Sequence, residues 1–259
     1  SWADELLGWT TMSMRESLTG GTAEDLNIFR NGEGDHFLLT LQLEGDFQIR
    51  EYSPKYKTMS DVIKRVCHSF RKNASDSDRL VIKAHPYEYN WAAQNKLVQK
   101  LRKEYDLGDR LLFINKCPMG DVLKGCKGMI TVNSTSAFSA MEHQVPVKAL
   151  GQAFWNYAPL TNVDVPLGEF WKTPKQPDAE IFKLFKSHTI EKTQFNGCYY
   201  TPNGRRRAVA SVLPALTSWE QDVADLQYAP MRRASEKRSE KLQRLNSLRG
   251  GRVKVNIAL

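Results

Sequence analysis

Three short polar groups in this sequence have the residue types that anion chemistry requires. Lys83-Ala84-His85-Pro86 sets a cation and a titratable imidazole two residues apart, on the same side of an extended segment, and Pro86 ends that segment so that the ring is presented at its tip. Asn133-Ser134-Thr135-Ser136 follows an apolar stub and leads into a short amphipathic run. This group fits a loop, a helix N-cap or an anion site. In the last case Ser134 or Thr135 caps a helix while neighbouring hydroxyls and free N–H groups face an anion, which the helix dipole favours by about 0.3–1 kcal/mol. The third group runs from Gln42 to Asp46 and holds two acids, Glu44 and Asp46, either of which could be a catalytic carboxylate or an ordinary loop acid.

A cation and a titratable ring beside a phosphate can bind and neutralise a nucleotide leaving group. Glu142 follows Ser134 by about two helical turns, where it could bond a ligand hydroxyl or simply be solvated. His36, His68, His143 and His188 have no partner identifiable from sequence. No GxGxxG follows the first apolar run, and GxxxxGK[ST], HExxH and GxSxG do not occur, which argues against dinucleotide, P-loop, zinc-protease and esterase chemistry. Cys67, Cys117, Cys126 and Cys198 show no CxxC spacing, so no metal site is expected and a reducing compartment is the simplest setting.

The elements that must position these groups are legible from periodicity. "HFLLTLQLEG" from His36, "RLVIKAHP", "RLLFINK", "GMITVN" and "VPVKAL" read as buried strands. Between them, "MSDVIKRVCHSFRKN" reads as a helix capped by Ser60, Trp91 to about Tyr105 as a second, "MGDVLKGC" as a short one and "STSAFSAMEHQ" as a fourth. This alternation predicts an α/β domain, a Rossmann-like doubly wound parallel sheet, over residues 36–151. Ligands of such sheets bind beyond the carboxyl ends of the strands. Gln42 to Asp46, Lys83 to Pro86, Asn115 and Lys116, Asn133 to Ser136, and Gly151 with Gln152 are therefore expected to face one crevice.

Residues 1–35 read as irregular, and Gly151 onward as a Pro- and aromatic-rich ordered loop with a short helix. Another helix is expected from Asp178 to His188, then an apolar-containing helical piece to about Leu226 and a basic tail. Of the net charge of +8, the span 231–254 holds nine Lys or Arg against two Glu. That tail is either a solvated helix face or a site of attraction to phosphate-rich surfaces, and the absence of aromatics within it argues against nucleic acid as a partner. No run of eighteen apolar residues exists to form a spanning helix.

Taken in order, "LLTLQLEGDFQI", "VIKAHP" and "ITVNSTSAFSAMEHQVPVKALGQAFW" resemble the bacterial capsule polysaccharide biosynthesis proteins that act as β-Kdo glycosyltransferases, over about residues 36–200. One departure is Gln144, which stands where the family's last motif has Gly. The resemblance implies the nucleotide-binding C-terminal half of a GT-B enzyme with CMP-Kdo as donor, retention at the anomeric centre and no further cofactor. It puts His85 and Pro86 on the CMP phosphate and cytidine, Ser134, Thr135 and Ser136 around phosphate or sugar carboxylate, and Lys83 nearby as a complementary charge. Gln42, Asn133 and Glu142 complete the expected donor site, and Asp46 is the candidate for donor or acceptor contact. Residues 1–35 then read as a linker or the remnant of an acceptor-binding N-terminal domain that is otherwise missing, 36–200 as the donor domain and 201–259 as helices and basic tail. The implied reaction is transfer of Kdo to a lipid or Kdo-bearing acceptor at the cytoplasmic face of an inner membrane, the tail lying on anionic lipid. The non-enzymatic alternative is a capsule assembly or export adaptor that keeps the fold.

Overall fold

A computed structural model of the chain describes residues 23–31, 35–115, 117–214 and 216. Its centre is a five-stranded sheet in the order β3-β2-β1-β4-β5, with every pair parallel. The strands are β1 (His36–Thr40), β2 (Arg79–Lys83), β3 (Leu111–Ile114), β4 (Cys126–Thr131) and β5 (Val147–Ala149). The helices are α1 (Ala23–Asn31), α2 (Phe47–Tyr52), α3 (Met59–Asn73), α4 (Trp91–Glu104), α5 (Met119–Leu123), α6 (Ala137–Glu142), α7 (Leu167–Phe170) and α8 (Ala179–Thr193).

The strands are near-continuous apolar runs because both faces of the sheet are covered. Phe37, Leu39, Leu80, Ile82 and Phe113 point into one core with Val62, Ile63, Val66 and Phe70 of α3 and Val98 and Leu101 of α4. The alternate residues Leu38, Val81, Leu112 and Met129 enter a second core with Val122 of α5, Ala137, Ala140 and Met141 of α6, and Phe182 of α8. Period-two alternation thus sorts neighbouring residues of one strand onto opposite layers.

Three local expectations are corrected. Thr58, rather than Ser60, caps α3: its Oγ1 accepts from the Asp61 N–H at 3.1 Å. Regular helix in α6 begins at Ala137, after a turn closed by the Ala137 N–H donating to the Ser134 carbonyl. Residues 23–31, expected to be irregular, form α1, whose Leu26, Ile28 and Phe29 pack on the second core. Its Asp25 is 2% exposed, pairs with Arg102 at 2.7 Å and accepts the Phe113 N–H at 2.9 Å. Since β3 is a sheet edge, that contact satisfies an edge donor and covers the edge.

The compact unit built on the sheet ends at Thr189, and a second unit begins at Ile190. Within the second unit residues 202–214 are helical, with the Gly204 N–H donating to Thr201 Oγ1 at 2.9 Å. The basic span 231–254 and Lys116 lie outside the described residues. Among the described residues no helix is long and apolar enough to cross a membrane, and no His, Cys, Asp or Glu cluster could hold a metal ion.

Candidate functional site

From β1 the chain steps outward to β2 and β3, then returns to the other side of β1 to form β4 and β5. The strand order reverses between β1 and β4, so a crevice opens at their carboxyl ends, the usual ligand position in doubly wound sheets. A cavity of about 210 Å3 lies there. It brings together Gln42 after β1, His85 after β2, Asn133, Ser134 and Thr135 after β4, and the wall Ala153, Phe154 and Trp155 after β5.

A reciprocal amide pair holds the crevice floor. Gln42 Nε2 donates to Asn133 Oδ1 at 2.9 Å, the Asn133 N–H donates to Gln42 Oε1 at 3.0 Å, and Asn133 Nδ2 donates to the Gln48 carbonyl at 2.8 Å. Both side chains are buried, so their polar atoms had to find partners or be left unsolvated at a cost of about 1–3 kcal/mol each. Asn133 and Gln42 are thereby committed to shaping the site, and α2 is tied to the start of the β4–α6 loop.

At the wall next to this floor, Ser134 Oγ accepts from the Ser136 N–H at 3.2 Å and from the Ser136 hydroxyl at 2.9 Å, a turn bond ahead of the helix; the N-cap position of α6 falls on Ser136, without a side-chain cap bond, so the capping role expected of Ser134 or Thr135 is corrected. Ser134 and Thr135 line the cavity, and Ser136 stands behind them as the donor to Ser134.

His85 is half-buried at the end of its strand, with Nδ1 accepting from the Tyr87 N–H at 3.2 Å. In the neutral ring that bond leaves the proton on Nε2. Burial, and then the charge of Lys83, lower the His85 pKa, while Glu88 and Asp46 oppose the shift. Lys83 is 5% exposed and does not line the cavity, and burial lowers its pKa as well. Its contribution is a charge felt through His85. Pro86 is exposed in the turn after β2, off the cavity wall.

Asp46 lines the cavity and also caps α2, its Oδ1 accepting from the Gln48 N–H at 2.8 Å. Glu44 faces away from the crevice and accepts the Met59 N–H at 2.6 Å. Glu142 does not join the group: the short α6 carries it to an exposed ion pair with Lys186 of α8 at 2.5 Å. Asn115, although buried, likewise stands off the cavity wall.

Sequence reasoning missed Gln48, Ala153, Phe154 and Trp155. A signal for Gln48 was present: Asp46 followed by Phe47 and Ile49 is an N-cap before an apolar helical pair. The wall residues carried none, because nothing local says that the segment after β5 folds back over the crevice. Its return depends on Gly151, where a Cβ would lie 2.9 Å from Val132 Cγ1 and 3.1 Å from the Tyr52 carbonyl. The Gln152 N–H then donates to that same carbonyl at 2.9 Å.

Known proteins share this sequence pattern. The chain is 37% identical over 165 residues to the capsule polysaccharide export protein KpsS of Escherichia coli, an alignment covering 64% of this chain and 42% of that protein. It is 30% identical over 183 residues to the capsule polysaccharide modification protein LipB of Neisseria meningitidis serogroup A, covering 69% of this chain and 43% of the relative. The chain thus spans about two fifths of the length of the curated relatives it matches. Among solved structures it is similar to Thermosulfurimonas dismutans KpsC, a beta Kdo 2,7 transferase, with TM-score 0.36, 17% identity, and coverage of 65% of this chain and 61% of that one. The family model described as capsule polysaccharide biosynthesis protein matches residues 4–200, a span that takes in all five strands and every crevice residue named above, and the chain belongs to that family.

Proposed function

We propose that the crevice is the donor site of a glycosyltransferase that takes Kdo from CMP-Kdo during capsule polysaccharide synthesis, within a GT-B architecture. The observation that carries this reading is the convergence of His85, Ser134 and Thr135 on one cavity at the switch point. Donors aimed at one place stabilise the charge that develops on a departing phosphate. In this reading the bond between the anomeric carbon and the phosphate oxygen breaks, CMP leaves with both electrons, and the His85 Nε2–H hydrogen-bonds the phosphate as its charge grows. The acceptor hydroxyl forms the new bond and gives its proton to Asp46, the carboxylate on the cavity wall. The acceptor is a lipid or a Kdo-bearing saccharide, and the basic span 231–254 rests on an anionic membrane surface.

CMP is the probe. It should raise the melting temperature of the protein, and His85→Ala and Ser134→Ala should each reduce the shift, corresponding to affinity losses of about tenfold for one charge-assisted bond. A folded sample with no CMP-dependent shift sinks the donor-site reading. The export wording in the name of the Escherichia coli relative favours a second reading, an assembly or export adaptor that retains the fold. That reading expects residues 231–259 to be required for capsule export and His85→Ala to be silent in the same assay.

A further inference from the structure

The polar lining of the crevice comes from the segments after β1, β2 and β4, and its apolar wall, Ala153, Phe154 and Trp155, from the segment after β5. Trp155 is fully buried in the second core, whereas Phe154 is 64% exposed. A single exposed phenyl group needs no explanation. This one differs because it borders the crevice and is held in place: its ring centroid lies 5.9 Å from that of Phe138, tilted by 38°, and 6.1 Å from that of Phe185, tilted by 40°. Phe138 and Phe185 stack on each other at 5.8 Å. Phe138 is anchored to the polar turn ahead of α6, its N–H donating to the Thr135 carbonyl at 3.0 Å.

Strand order fixes which end of the crevice this residue occupies. His85 follows β2 and Phe154 follows β5, and in the order β2-β1-β4-β5 the ends of their strands stand three spacings apart, about 14 Å, with Ser134 and Thr135 after β4 between them. An anion held between His85 and the turn after β4 leaves the space toward Phe154 for another part of the same ligand. Among the described residues no Lys or Arg lines the crevice, so nothing at the Phe154 end calls for a second negative group. Pro86, which the family resemblance puts on the nucleotide, lies off the wall, so the base lacks that partner. A phenyl ring has no polar handle and recognises a ligand by its flat face, which suits a nucleobase.

We propose that Phe154 is the platform on which the pyrimidine base of the donor nucleotide stacks, with the phosphate toward Ser134, Thr135 and His85. The assignment rests on the reading of the crevice as the donor site and adds to it the residue that holds the base. Because every base has a π-face, the platform supplies affinity for a nucleotide over a bare sugar phosphate and does not by itself distinguish cytosine from uracil.

The test compares CMP with ribose 5-phosphate, which keeps the phosphate and the ribose and lacks the base, by calorimetric titration of the full chain. The wild-type protein should bind CMP about tenfold more tightly than ribose 5-phosphate, the difference being one base–aromatic stack. Phe154→Ala should weaken CMP binding by about the same factor and leave ribose 5-phosphate affinity within about twofold. Phe154→Trp keeps a flat ring, so it should hold CMP with wild-type affinity, and its added indole fluorescence should be quenched by CMP and not by ribose 5-phosphate. Unchanged CMP affinity in Phe154→Ala, equal losses for the two ligands, equal wild-type affinities for them, or a Phe154→Trp variant that CMP does not quench overturns the platform and leaves the donor site standing. A folded wild-type protein that does not bind CMP overturns the donor reading, and the platform with it.

Discussion

Gln42 and Asn133, ninety-one positions apart, hold each other across the gap between β1 and β4 with two reciprocal hydrogen bonds of 2.9 and 3.0 Å. The pair spans the point where the strand order reverses, so it sets how far apart the two walls of the crevice stand. Gln42→Ala strands a buried carbonyl and a buried N–H on Asn133, and a loss of about 2–4 kcal/mol is expected from two unsatisfied groups. Chemical denaturation measures it. Gln42→Glu keeps the acceptor for the Asn133 N–H but loses the donor to Oδ1, and should fall at least as far because it buries a charge.

Gly151 sets the path of the loop that forms the far wall. Gly151→Ala puts a methyl group 2.9 Å from Val132 Cγ1 and 3.1 Å from the Tyr52 backbone carbonyl, which cannot swing aside as a side chain can. A stability loss of about 1–3 kcal/mol is expected from overpacking. Residues 152–155 should shift with it, so tryptophan fluorescence of the folded variant, through Trp155, should differ from that of the parent protein. An unchanged melting temperature and spectrum would remove Gly151 from the account.

Gln144 is a departure from the family pattern with a visible backbone consequence. It sits just past α6 with φ of 57°, in the left-handed region that glycine adopts freely. The Val145 N–H donates to the Ala140 carbonyl and the Gln144 N–H to the Met141 carbonyl, the bond pair of a helix end closed by a left-handed residue. Gln144→Gly should therefore stabilise the fold by up to about 1 kcal/mol, against the loss of one Gln144 Nε2 bond to the Met141 carbonyl at 3.2 Å. A drop in melting temperature would mean that the side-chain bond outweighs the backbone relief.

His36 links stability to pH. Its ring is buried against Phe29 at 5.1 Å, with Nε2 bonded to the Val122 carbonyl at 2.8 Å, and burial lowers its pKa below the usual 6.5. The unfolded chain therefore binds a proton that the folded chain resists between that lowered value and 6.5, and stability should rise with pH across this window and fall on acidification. His85, lowered for the same first reason, adds a like contribution. His36→Gln should flatten the dependence measured by thermal melts between about pH 5 and 7; an unchanged slope would assign it elsewhere.

How much of this was legible in the sequence follows from how local each feature is. Five apolar runs separated by amphipathic ones determined the β/α order, and strand ends marked by Gln42, His85 and Asn133 named three of the residues that meet in the crevice. The polar turn at Ser134 was readable too, because its bond reaches only two residues along the chain, although it stands ahead of α6 and does not cap it. Tertiary structure alone decided the rest. Lys83 and His85 share one side of an extended segment, yet packing buries the lysine away from the cavity lining and leaves only the histidine on its wall. Glu142 was displaced because α6 is a six-residue helix whose end meets α8, a contact forty-four positions away in sequence. Asp25 could not be read as a strand-edge partner without knowing that β3 lies at the edge of the sheet. Periodicity reports which face of an element is apolar; which elements become neighbours depends on the order of the strands, and it is that order which brings Trp155, Gln48 and His85 around one space.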